Sequence, residues 1–161
     1  MDSATGEFTF RPLEFSDLEF LNLVRNDASP FLHDKRLFSL HETIQWFKDG
    51  LPGEYWIVEL KETRIGYFRL IVVDSETAMI GADLHTDFQG KGFAKSMYRE
   101  FARAVLIPSG FSRCTLRVLR SNYRAYRLYV RLGFVQTSES DDDISMKVSV
   151  RHLARSLEEA N

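Results

Sequence analysis

The hydrophobic positions of this chain recur with two periods, and the switches between them outline the elements. Phe8-Thr9-Phe10-Arg11-Pro12-Leu13 alternates apolar and polar residues, the period of a first strand. Leu18, Leu21 and Val24 then return at helical spacing behind Ser16-Asp17-Leu18-Glu19, a Ser-x-x-Glu pattern that predicts a capping box. A second such box, Ser39 to Glu42, opens a helix carrying Leu40, Ile44 and Phe47, which Asp49-Gly50 and Pro52-Gly53 end. Three strands follow without a helix between them: Tyr55 to Leu60, Ile65 to Val73 and Ala78 to His85. From Gly92 the period turns helical again, with Phe93, Met97, Phe101 and Val105 spaced by four until Pro108-Ser109-Gly110. Cys114 to Leu119 is a strand. Asn122 to Leu132 is a helix with Ala125, Leu128, Tyr129 and Leu132 on one face and Gly133 at its C-terminal cap. Phe134 to Thr137 and Ile144 to Val150 are the last strands, with Glu139 to Asp143 between them as a solvated acidic loop.

The order is therefore β-α-α-β-β-β-α-β-α-β-β. Three consecutive strands predict antiparallel pairing, and the later β-α-β predicts one parallel pair. The fold class is α/β (α+β): a mixed, mostly antiparallel central sheet of about seven strands flanked by about four helices. Residues 1–150 read as one domain, ahead of which Met1 to Glu7 is a short lead. Residues 151–161 read as a polar, helix-prone tail.

Composition narrows the class. The chain has 161 residues, 44% hydrophobic and 27% charged, enough for one domain with its own core. A net charge of −2 argues against a nucleic-acid-coating protein, while leaving room for a local basic patch. A single cysteine, Cys114, excludes an intramolecular disulfide, and its apolar surroundings read as core. No apolar run has the length of a membrane span, and the N-terminus lacks the pattern of a signal peptide. The expectation is a cytoplasmic protein with no nucleic-acid or membrane partner and no metal, as a monomer or homodimer.

Chemistry concentrates at Gln89-Gly90-Lys91-Gly92-Phe93-Ala94, between a predicted strand and a long helix. Glycines at 90 and 92 let backbone approach a ligand, and the first-turn N–H groups of the helix have no intrahelical partner. With the helix dipole they form an anion site, reinforced by Lys91 and Lys95. Two phosphate motifs are excluded. A dinucleotide fingerprint needs glycine where Lys95 stands, and a P-loop needs glycine where His85 stands and Ser or Thr after Lys91.

The spacing Gln89-x-x-Gly92-x-Ala94 resembles the acetyl-CoA-binding motif of the GNAT superfamily of N-acetyltransferases. Downstream, Asn122-x-x-Ala125-x-x-Leu128-Tyr129-x-x-x-Gly133-Phe134 matches every fixed position of that superfamily's second pattern. The resemblance implies a splayed parallel β4/β5 pair and acetyl-CoA (coenzyme A) as the acyl carrier. It implies that the backbone of Leu84, His85 and Thr86 binds the pantetheine arm. Gln89, Gly90, Lys91, Gly92, Phe93 and Ala94 would hold the pyrophosphate, with Asn122 contacting the cofactor nearby. It further implies direct attack by a primary amine in a ternary complex, with Tyr129 as the acid that protonates the leaving thiolate. Met79 stands where relatives often carry a glutamate base. Asp83, on the same strand face by alternation, is the first substitute; His85 or a chain of waters are others. Arg124, Arg127 and Arg131 share one face of the motif helix, as a solvated stripe or as a contact to the 3′-phosphate of CoA.

Acceptor specificity falls to the first two helices and their connection: Val24-Arg25-Asn26, Phe31-Leu32-His33-Asp34-Lys35 and Trp46-Phe47. These resemble the branch that acetylates nucleotide-linked amino sugars and ribosomal-protein N-termini. Phe31, Trp46 and Tyr67 are candidates for stacking on a base or sugar. The first expectation is a small-molecule amine acceptor such as a nucleotide-linked amino sugar. A protein N-terminal acetyltransferase and a non-catalytic acyl-CoA-binding module are the alternatives.

Overall fold

Seven strands form one sheet in the order β1-β2-β3-β4-β5-β7-β6. They are β1 (Phe8–Pro12), β2 (Glu54–Leu60), β3 (Thr63–Val72), β4 (Thr77–Leu84), β5 (Arg113–Leu119), β6 (Val135–Glu139) and β7 (Asp143–Ser149). The helices are α1 (Leu18–Asp27), α2 (Leu40–Asp49), α3 (Phe93–Phe101), α4 (Tyr123–Arg131) and α5 (Val150–Ala154). The structure, a computed structural model, describes residues 7–155, so the predicted lead before Glu7 and the tail beyond Arg155 lie outside the described residues.

All neighbouring strands are antiparallel except β4 and β5. That pair is parallel and short, running only from Thr77, Ala78 and Met79 to Arg113, Cys114 and Thr115. Beyond Met79, β4 stays paired with β3 as far as Leu84, while β5 stays paired with β7 as far as Leu119. The sheet therefore opens at its centre, as the resemblance implied.

Strand alternation sorts side chains onto two faces. Phe68, Leu70, Ala78, Ile80 and Leu116 pack with Met97, Phe101 and Leu106 of the α3 region and with Leu153 of α5. Phe68 lies flat on Phe101, ring centroids 3.9 Å apart. Burying each such side chain is worth about 1.5–3 kcal/mol. The opposite face carries Ile57 and Tyr67 beneath Leu18, Leu21 and Val24 of α1.

The Ser39–Glu42 capping box forms at α2, with the Ser39 Oγ accepting from the Glu42 N–H and the Glu42 carboxylate accepting from the Ser39 N–H. The box predicted at Ser16–Glu19 does not start α1. The chain enters that helix through a tight turn at Phe15–Asp17, where the Asp17 carboxylate accepts the Glu14 N–H. Asp17 is 1% exposed and paired with Arg11 at 2.7 Å and Arg64 at 3.2 Å, and these contacts fix it at the helix start. The four-residue spacing after Gly92 is also met in an unexpected way. Past Phe101 the helix widens into a π-turn over Ala102–Leu106, with the Ile107 N–H bonded to the Ala102 carbonyl, and both Val105 and Leu106 are buried.

The segment read as a polar tail begins with α5, whose Leu153 is fully buried and whose Ala154 carbonyl accepts from Arg103. Within the acidic loop, Asp143 is a buried exception, 6% exposed.

Candidate active site

The glycine loop leaves β4 through a short turn at Thr86–Phe88 and enters α3 at Gly92. Gly90 and Gly92 have φ of +72° and +81°, the left-handed region that side-chain-bearing residues rarely adopt. No side chain caps α3, and a Cβ placed on either glycine would meet nothing within 4 Å. The loop thus offers open backbone and uncapped helix N–H groups at the positive end of a dipole, with Lys91 exposed beside it. These features suit the pyrophosphate of coenzyme A.

The loop is braced from within. Gln89 Nε2 donates to the Leu84 carbonyl at 2.9 Å, and the His85 N–H donates to the Ile65 carbonyl at 2.8 Å. The His85 and Thr86 carbonyls accept from the Phe88 and Gln89 N–H groups. The Leu84, His85 and Thr86 carbonyls each accept one such bond, and a carbonyl oxygen has two lone pairs. His85 Nδ1 accepts the Asp87 N–H, and its ring stacks on Phe20. That nitrogen is committed to the turn, which weakens His85 as a base.

A cavity of about 780 Å³ lies between the α1–α2 connection and the sheet, and it reaches Met79, Asp83, Asn122 and Tyr129. The residues of the loop Gln89–Ala94 do not line it. The β3–β4 register pairs Tyr67 with Asp83, Arg69 with Gly81 and Ile71 with Met79, and all six line the cavity. Asp83 Oδ2 accepts from the Tyr67 hydroxyl at 2.5 Å, while Oδ1 has no hydrogen-bond partner among the described residues. Burial pushes the Asp83 carboxyl above the usual carboxylate range, although the Tyr67 hydroxyl, Arg69 and Arg25 pull it down.

Tyr129 projects from α4 onto the same cavity. Its carbonyl accepts the Phe134 N–H at 3.0 Å, which fixes the helix end that carries it. Burial raises its phenol above the usual tyrosine range, opposed by its hydrogen bond with Tyr98. Asn122 caps α4, its Oδ1 accepting the Ala125 N–H at 3.3 Å, so one of its polar atoms serves the fold. Cys114 is fully buried and its thiol is pushed up by desolvation, the state of a core residue. Arg124, Arg127 and Arg131 are all exposed.

The α1–α2 connection is held by the Arg25-Asn26 pair. Asn26 hydrogen-bonds both the N–H and the carbonyl of Phe38, and Asn22 adds a second donor to that carbonyl. Arg25 donates to the Asp34 and Arg36 carbonyls and lies over the Phe38 ring. The connection is tied to the far side of the sheet by His33 Nε2, 2.9 Å from Asp143 Oδ2, which also accepts from Arg117.

Among the residues that line or contact the site, Arg36, Tyr55, Arg69, Tyr98, Arg117 and Asp143 were not foreseen. Arg69 was legible, since it alternates with Tyr67 along one strand face. Tyr98 meets Tyr129 only by helix packing, and Asp143 was masked by its acidic neighbours.

A family model described as an acetyltransferase (GNAT) domain matches residues 7–135. Among solved structures, the chain resembles a spermidine N-acetyltransferase from Vibrio cholerae in complex with CoA and spermine. That match has a TM-score of 0.80 at 23% identity, covering 94% of this chain and 100% of that one. A spermidine/spermine N-acetyltransferase from Vibrio cholerae in complex with manganese ions matches with a TM-score of 0.74 at 20% identity, covering 92% of this chain and 95% of that one. No curated protein sequence matches the chain.

Proposed function

This chain belongs to the GNAT acetyltransferase family, and on that footing we propose that it acetylates the primary amine of an anionic small molecule, with a nucleotide-linked amino sugar as the leading class. The family fixes the reaction as acetyl transfer from acetyl-CoA to an amine. When bound, acetyl-CoA supplies an acetyl group activated as a thioester.

The residues divide the rest. Gln89, Gly90, Lys91, Gly92, Phe93 and Ala94 hold the pyrophosphate, and the backbone of Leu84, His85 and Thr86, with Asn122, guides the arm toward the opening between β4 and β5. An alkylamine is mostly protonated near neutral pH and must lose a proton before it can attack. Asp83 accepts that proton through Oδ1 while Tyr67 holds Oδ2. Tyr129 donates its phenolic proton to the sulfur as the C–S bond breaks and the N–C bond forms, and the second proton shed by the acylated nitrogen restores the Tyr129 phenol by way of solvent.

The observation that carries the acceptor reading is the charge state of the cavity. Four guanidinium groups line it, those of Arg25, Arg36, Arg69 and Arg117, against the carboxylates of Asp34, Glu42 and Asp83. Asp34 is paired with both Arg36 at 2.7 Å and Arg25 at 3.8 Å, Arg117 is paired with Asp143, and Glu42 is spent capping α2. Arg69 makes no ion pair with a carboxylate among the described residues. A phosphate-bearing amine suits this wall, and Phe31, Trp46 and Tyr55 offer rings for a base or sugar. A polyamine, the class of the spermine bound in the Vibrio cholerae neighbour, would find Asp83 as the one lining carboxylate outside an ion pair or a helix cap.

The test is thiol release from acetyl-CoA against nucleotide-linked amino sugars, polyamines, amino acids and N-terminal peptides. Turnover with the nucleotide-linked amines is the expected result. Turnover confined to polyamines or peptides would overturn the acceptor reading. Tight CoA binding with no turnover on any amine would favour a binding module. A cytoplasmic setting fits this chemistry, and no helix among the described residues is long and apolar enough to cross a membrane.

A further inference from the structure

We propose that Tyr98 is a positioning residue for the acid: its buried hydroxyl donates to Tyr129 Oη, aims the Tyr129 proton into the cavity and makes that proton easier to give. The inference rests on Tyr129 being the acid.

The two hydroxyl oxygens lie 3.2 Å apart, and the rings meet edge to face at 5.7 Å. Tyr98 is 2% exposed, on the inner side of α3, where its ring also meets Phe68 edge to face at 5.0 Å. Among the described residues, its hydroxyl has one hydrogen-bond partner, Tyr129. Each phenol has a single proton to donate. If Tyr129 donated inward, the Tyr98 proton would be buried with no acceptor, the costly arrangement for a polar hydrogen. With Tyr98 as donor, every buried polar hydrogen of the pair is satisfied. Tyr129, which alone of the two lines the cavity, then has its proton free to point there.

The direction of donation has a chemical consequence. As Tyr129 gives up its proton, negative charge develops on an oxygen that burial and nearby Asp83 both disfavour. A fixed O–H aimed at that oxygen strengthens as the charge grows and opposes those two effects. The device also ties the acid to α3, the helix whose N-terminus forms the candidate pyrophosphate site.

The test replaces Tyr98 by Phe, which removes one oxygen and keeps the packed ring. 3-Fluorotyrosine is placed at position 129, and its ionisation is followed by fluorine NMR in the Tyr98 and Tyr98→Phe proteins without any ligand. The position 129 phenol is expected to titrate about one pH unit higher in Tyr98→Phe, the size of one lost hydrogen bond. With the natural tyrosine at 129, kcat is expected to fall about ten-fold, and its alkaline limb to move up by the same unit. The more acidic fluorotyrosine should restore much of that rate. Identical fluorine titrations in the two proteins would overturn the proposal, as would a fall in kcat with an unmoved alkaline limb. The acid reading is checked separately with Tyr129→Phe. Unchanged turnover there would remove Tyr129 from the chemistry, whatever the titration shows.

Discussion

Two side chains, Tyr129 and Asp83, carry the proposed proton transfers, and burial raises both pKa values to opposite effect. A raised phenol stays protonated over the whole neutral range and is available as an acid. A raised carboxyl is a stronger base toward an ammonium, at the cost of holding charge in a poorly solvated place. Tyr129→Phe should lower kcat by about 10²- to 10⁴-fold with CoA affinity little changed, read by thiol release and by calorimetric titration. Asp83→Asn should lower kcat/KM by a similar factor and remove the acid limb of its pH profile. The same substitution should raise the melting temperature at neutral pH. A carboxyl whose folded pKa is raised contributes stability below its unfolded pKa of about 4 and loses it as pH rises through the folded value. Asparagine removes that loss and can still accept from Tyr67. An unchanged acid limb in Asp83→Asn would return the base to solvent.

The elements bring these residues together by means that differ in how local they are. The α2 capping box is four residues of sequence and forms as read, so Ser39→Ala should cost about 1 kcal/mol in denaturant unfolding. The candidate pyrophosphate loop is equally local. Gly92→Ala must force a side chain into φ +81°, a strain of about 1–2 kcal/mol, with weaker CoA binding and an acceptor site left intact. The start of α1 was not local in this sense. Its Ser-x-x-Glu pattern lost to Asp17, whose partner Arg64 lies 47 residues away on β3. The π-turn after Phe101 was equally hidden, because a four-residue apolar spacing fits an α-helix and a wider turn alike.

At the scale of the molecule, the α1–α2 connection is tied across the sheet through one carboxylate, Asp143. Asp143 is held below the usual carboxylate range by the Ser140 hydroxyl and by Arg117 and His33, against the effect of burial. Asp143→Asn should free the α1–α2 connection, raising the acceptor KM about five-fold, as expected for about 1 kcal/mol of docking, with CoA affinity unchanged. At the opposite edge, the Asp17 carboxyl is depressed in the folded state, with Arg11 and the Glu14 N–H outweighing burial. Its contribution to stability is therefore present above pH 4 and lost as pH falls through its lowered folded value. Asp17→Asn should flatten the acid limb of a melting-temperature curve. The sequence by itself determined the strand and helix order, the glycine turn ahead of α3 and the placement of Tyr129 on α4, because periodicity, glycine placement and helix caps act over a few residues. Only the tertiary structure decided that Asp83 faces Tyr67, that Tyr98 meets Tyr129 and that Asp143 anchors the α1–α2 connection. Those pairings depend on strand register, helix packing and burial, which join residues 16, 31 and 110 positions apart along the chain.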